Sequence, residues 1–158
     1  MLAFGDIESS INELIRQMCP ASTLVFALPL LLHQRMTLLR LALEEFELLN
    51  GKNRQVLNDT LDEVSNLAKT RNLIAHNPLV LQFYAGSNQL DRQMKEVIKH
   101  EHMNKSIDLG ELRKVAARAN KVAGALNMMW IGIDMHLMNG KPIVFKTPSQ
   151  IYRPTPKK

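Results

Sequence analysis

Apolar residues recur at three- and four-residue intervals along most of this chain, a spacing that predicts helices rather than strands. The clearest run climbs from Leu109 and Leu112 through Ala119, Val122 and Leu126 to Met129 and Ile133. Asp108 and Glu111 precede it in capping-box order, and Asn139-Gly140 with Pro142 close it as a glycine stop. A second run, Val56, Leu57, Thr60, Leu61, Val64 and Leu67 continuing to Ile74, predicts a helix from about Arg54 to His76, ended by Pro78. Ser10 followed by Glu13 has capping-box spacing and predicts a short first helix reaching about Met18. Between these, a long helix is predicted over about 24–49, with Pro29 either in its first turn or at a kink and Asn50-Gly51 as its stop. Its main stripe holds Leu28, Leu32, Leu39 and Phe46, whereas Leu30, Leu41 and Leu48 fall on the other side. Such a helix is expected to be buried on two faces, the second against another subunit.

Two segments break the helical rhythm. The runs LVLQFY at 79–84 and MKEVIKH at 94–100 flank a Gly-Ser-Asn turn, which predicts a β-hairpin within about 79–100. The second run is charged, so a loop is the alternative there. The tail KPIVFKTPSQIYRPTPKK, residues 141–158, has four prolines, five basic residues and no acid, and is expected to be extended or disordered. The fold class that follows is all-α in the main: one helical domain over residues 1–140, built from four to five helices with a short hairpin insertion, and a basic proline-containing tail over 141–158.

Composition agrees with this and narrows the setting. In 158 residues the hydrophobic content is 46% and the aromatic content 5%, so the core is expected to be Leu, Val, Ala and Met. Cys19 is the single cysteine, which excludes an internal disulfide and a cysteine-based zinc site. The longest apolar run, LVFALPLLL at 24–32, has nine residues, about half of a spanning helix, and MLAFGDIESS lacks the basic start of a signal peptide. A soluble protein of the reducing cytoplasm, with no membrane partner, is the expectation. The net charge of +5 is uneven: residues 1–63 hold five basic and nine acidic residues, and residues 64–158 hold fifteen and six. That asymmetry suits a polyanion on the second half, or a solvated face with a basic tail.

The chemistry concentrates at RNLIAHNPL, residues 71–79. On a helical wheel Arg71 falls close to the centre of the stripe of its helix. A guanidinium there cannot be deprotonated, so it needs an acidic partner or an anionic ligand. Asn72 and His76, four apart, lie together on the rim, with His76 in the last turn, where the helix dipole favours a cation. Arg71 and His76 are roughly 140° apart on the wheel, so either the arginine reaches round or each residue serves a site shared with a second copy. A purely structural arrangement fits the same wheel, with Arg71 paired to Glu44, Glu45 or Glu47 and His76 capping the helix. Periodicity alone does not choose between them.

The motif R-N-x-x-x-H, carried by Arg71, Asn72 and His76 at the end of a long helix in a small α-domain, resembles the signature of the HEPN superfamily. At the level of helix order the resemblance covers about residues 6–138, and its specific motif is six residues long. It implies a HEPN-like helical-bundle dimer, often a metal-independent endoribonuclease of toxin–antitoxin, phage-defence or RNA-processing systems, and in some members a binding module without activity. The partners implied are RNA, a second copy of the chain, and an antitoxin or defence-system protein; no cofactor and no metal is implied. In members silenced by a nucleotidyltransferase, Tyr usually stands two residues after the His; Pro78 stands there in this chain. RNA cleavage without metal needs a base for the 2′-hydroxyl, a cation for the phosphorane and an acid for the leaving oxygen. Arg71 suits the phosphate, His76 is base or acid, and Asn72 is expected to orient the histidine. One imidazole does not readily do both jobs, and a twofold dimer supplies two.

Other signals are weaker. Arg35 lies near the centre of its own helix's stripe and either extends the phosphate site as a substrate-binding residue or pairs with an acid. His100-Glu101-His102 resembles a metal cluster but has no third convergent ligand, and a solvated loop is the commoner meaning. Asp134 and His136, two apart on a helix, do not face each other. Arg113, Lys114, Arg118 and Lys121 form either an RNA-tracking surface or a plain solvated face.

Overall fold

The computed structural model of the chain describes residues 2–76, 79–84, 93–99 and 106–151. The chain divides into two compact units, residues 1–65 with 119–158, and residues 66–118. The boundaries fall inside two long helices, after Ser65 and before Ala119.

The first unit begins with α1, Leu2–Met18. Ile7, Ile11, Leu14 and Ile15 are fully buried on one face of it. The start expected at Ser10 is therefore corrected: Ser10 lies mid-helix and is 5% exposed. A cap is worth about 1 kcal/mol, whereas burying one isoleucine side chain is worth about 1.5–3 kcal/mol. Ile7 sits one turn ahead of Ile11, so the apolar stripe carries the helix past the local cap signal.

The long helix expected over 24–49 is two helices, α2 over Ala21–Ala27 and α3 over Leu32–Glu45. Pro29 lies in the break between them. Its ring clashes with the carbonyl four residues back, which is why a helix cannot run through this point unkinked. Asn50-Gly51, expected as a stop, is a start. Asn50 accepts the Asn53 N–H on its side-chain oxygen at 2.9 Å and opens α4, Gly51–His76. The end of α3 is closed from a distance instead. Arg54 donates to the carbonyls of Glu44, Phe46 and Leu49 at 2.9–3.0 Å, collecting acceptors that a helix end leaves unpaired.

The helix α5, Leu109–Asn139, matches its expected limits. Asp108 and Glu111 make the reciprocal pair of a capping box, at 3.1 and 2.8 Å. Gly140 ends the helix at φ +65°, a conformation that costs glycine nothing. Residues 141–147 after it carry no helix or strand, as an extended tail would, but Ile143 and Phe145 among them are buried rather than solvated. Buried Asn53 fixes this strap on both of its backbone sides: its amide donates to the Ile143 carbonyl at 2.8 Å, and its oxygen accepts the Phe145 N–H at 3.1 Å. A short helix α6 follows, Pro148–Ile151; residues 152–158 lie outside the described residues.

The second unit holds the end of α4, a three-stranded sheet and the start of α5. Strands β1 (Leu79–Tyr84) and β2 (Gln93–Lys99) pair antiparallel, with Leu79 opposite Ile98 and Tyr84 opposite Gln93. The expected turn residues between them lie outside the described residues. A third strand, β3 (Ser106–Asp108), pairs with β2 and has no counterpart in the sequence reading, because three residues carry no alternation. Val97 and Ile98 are both buried, and neighbours on a strand face opposite sides, so β2 is covered on both faces there. Six helices stand among the described residues, and none of their helices is long and apolar enough to cross a membrane.

Candidate functional site

The candidate site is built on the last turns of α4. Leu57, Leu61, Val64 and Leu67 are buried along it, and the burial stops at Leu67. Arg71 follows one turn later on the same stripe, and it is exposed, as are Asn72, Ala75 and His76. The wheel anticipated a buried stripe reaching Ile74 and Ala75; in the single chain those positions are half-buried and exposed. An arginine in the line of an apolar stripe thus opens to solvent, with the asparagine and the histidine of the motif on the same helix end.

The pairing of Arg71 differs from that of three other arginines. Arg35 is buried and gives two nitrogens to α1, one to Glu8 at 3.1 Å and one to Asn12 at 2.5 Å. Arg40 bridges α3 to α4 through Asp62 at 2.7 Å and Asn58 at 3.0 Å. Arg54 holds three carbonyls, as above. Arg71 reaches the side-chain oxygen of Asn72 at 3.5 Å, the long limit of a hydrogen bond. Among the described residues no carboxylate forms an ion pair with it. Of the two roles open to Arg35, the ion pair is the one the chain provides for, with two of its donors engaged inside the protein.

Asn72 accepts from its neighbour Arg71, and among the described residues it makes no hydrogen bond to His76. His136 pairs its Nδ1 with the Lys141 backbone oxygen at 2.7 Å, a local tie at the end of α5. Arg113, Lys114, Arg118 and Lys121 are exposed along α5. His100-Glu101-His102 lies outside the described residues. Among the described residues no three His, Cys, Asp or Glu side chains converge as metal ligands.

Two concave features of the first unit escaped the sequence reading. One, of about 460 Å³, is lined by Met18, Cys19, Leu38, Leu41 and Phe46, and burial pushes the Cys19 thiol above its ordinary pKa. The other is polar and lies between α1 and α5. The signal for it was present in the sequence: Asp6, Ser9, Ser10 and Glu13 are spaced to share a helix face.

Set against family models, curated proteins and solved structures, the chain finds no match in any of the three.

Proposed function

We propose that the chain is a metal-independent endoribonuclease of the HEPN type, cleaving RNA through attack of the RNA's own 2′-hydroxyl. Its role is that of a toxin, a phage-defence effector or an RNA-processing enzyme in the cytoplasm. One observation carries the reading: Arg35, Arg40 and Arg54 are each held by two or three acceptors, while Arg71 is exposed and among the described residues has only a 3.5 Å contact to Asn72. A guanidinium used for structure is paired; one kept for an anion is left open. Arg71 takes two phosphate oxygens on its planar fork and offsets charge on the phosphorane. His76 moves a proton as base or acid, and Asn72 orients the histidine.

A complete reaction needs a second imidazole, which a twofold dimer with adjacent α4 ends supplies. Self-association is supported by apolar surface left open in the single chain, with Leu41 at 59% and Met128 at 57% exposure. Charge supports the substrate class, because residues 66–118 carry nine basic and five acidic residues. The test is cleavage of single-stranded RNA in EDTA by the purified protein and by its Arg71 and His76 variants.

The second reading is a non-catalytic module of the same kind that binds RNA, a nucleotide or a protein partner. The single motif histidine per chain favours it if the protein stays monomeric.

A further inference from the structure

The first turns of α5 carry Arg113, Lys114 and Arg118, all exposed, in the same compact unit as Arg71 and His76. Neither Arg113 nor Lys114 forms an ion pair among the described residues. The acid just ahead of them, Glu111, turns back to accept the Asp108 N–H at 3.1 Å as part of the cap. After it no acid stands on the helix until Asp134.

A solvated helix face mixes the two signs, with acids three or four residues from its cations. This face does the opposite. Arg118 stands four residues after Lys114, a like-charge neighbour by helical geometry, and Lys121 repeats the sign three residues on. Such pairs weaken a helix, and an anion lying across them turns the repulsion into attraction. Lys114 and Arg118 are about 6 Å apart along the axis, so one phosphate comes within reach of both side chains.

The surroundings narrow the class of anion. Between Arg113 and Arg118 the other exposed residues are Ala116 and Ala117. Their small side chains let a charged backbone approach the helix, and they offer no ring for a base to stack on. They also offer no bulky apolar group of the kind that anchors a helix in a lipid surface.

We infer that this face of α5 binds the sugar–phosphate backbone of single-stranded RNA without reading its bases. Arg113 and Lys114 pair with phosphate oxygens, and each contact releases a condensed counterion. The face thereby adds substrate affinity beyond what Arg71 supplies. That the polyanion is RNA rests on the cleavage reading above; that the face takes phosphates rests on its own charge.

The experiment is fluorescence anisotropy of a labelled, fully 2′-O-methylated RNA of about 16 nucleotides, titrated with the full chain at several salt concentrations. This probe keeps the phosphates and has no hydroxyl to attack, so binding is read without turnover. The logarithm of the affinity is expected to fall linearly with the logarithm of the salt concentration. The Arg113→Gln, Lys114→Gln double variant is expected to lower that slope by about 1.4, about 0.7 for each lost contact. Its affinity at about 0.1 M salt is expected to drop by about tenfold or more. Lys52→Gln, an exposed position at the start of α4, is expected to leave the slope unchanged. The double variant is expected to melt no lower than the parent, since it removes one like-charge pair.

A parental slope in the folded double variant overturns the inference, whether or not the protein cuts RNA. A lowered slope in a protein that cuts no RNA keeps this inference and removes the cleavage reading. A lower melting temperature would make the two side chains structural and overturn it. Tighter binding to phosphatidylserine vesicles than to the RNA would assign the face to a membrane and overturn it as well.

Discussion

Asn53, at the start of α4, holds the strap after α5 by giving its amide to Ile143 and accepting the N–H of Phe145. The residue is 4% exposed, so neither strap group has water as a substitute. Asn53→Ala is expected to leave a buried carbonyl and a buried N–H unpaired and to cost about 2–4 kcal/mol. Urea unfolding measures it. A loss under about 0.5 kcal/mol would mean the strap is not held as described.

Arg35 and Glu8 give an asymmetric expectation. Removing the acid leaves a cation that is 9% exposed at its side chain, whereas Glu8, at 39%, stays in reach of water when the arginine goes. Glu8→Ala is expected to destabilise by about 1–3 kcal/mol, and Arg35→Met, which refills the volume with apolar atoms, by less. If Arg35→Met kept full stability but lost RNA binding, Arg35 would be a substrate ligand after all.

Cys19 should react slowly. Burial raises its thiol pKa, so less thiolate is present at any pH below that value. Alkylation at pH 8 is expected to be slower than that of a small free thiol, and the gap should narrow as pH rises. Equal rates at pH 8 would contradict the burial.

Much of the helical plan was legible because periodicity and burial coincide. Leu57, Leu61 and Val64 fall on one face by spacing and are buried in the fold. The errors have a common physical origin, since a local signal does not say which tertiary term overrides it. Ser10 resembles a cap but is overtaken by Ile7. Asn50-Gly51 resembles a stop because the residue that closes α3, Arg54, lies further along the chain. The tail resembles a disordered segment because nothing local reveals that Asn53 waits for it. At the candidate site the motif of Arg71, Asn72 and His76 is legible from spacing, while the open state of Arg71 depends on where burial along α4 ends, which no wheel displays.

The proposed shared site makes self-association measurable. Light scattering at micromolar concentration is expected to return twice the 18.0 kDa of one chain. A monomer at that concentration would favour the non-catalytic reading.

The central claim is that Arg71 and His76 cut RNA without a metal, and one assay reaches it directly. Single-stranded RNA and DNA of the same sequence are incubated with the protein in EDTA, and the ends are analysed. The account predicts RNA products with 2′,3′-cyclic phosphate and 5′-hydroxyl ends, and intact DNA, because DNA lacks the attacking hydroxyl. His76→Ala is expected to lose on the order of 10²–10⁴ in rate, and Arg71→Ala a comparable factor with the fold intact, as suits an exposed side chain. Cleavage that requires added Mg²⁺, or that survives His76→Ala, would contradict it.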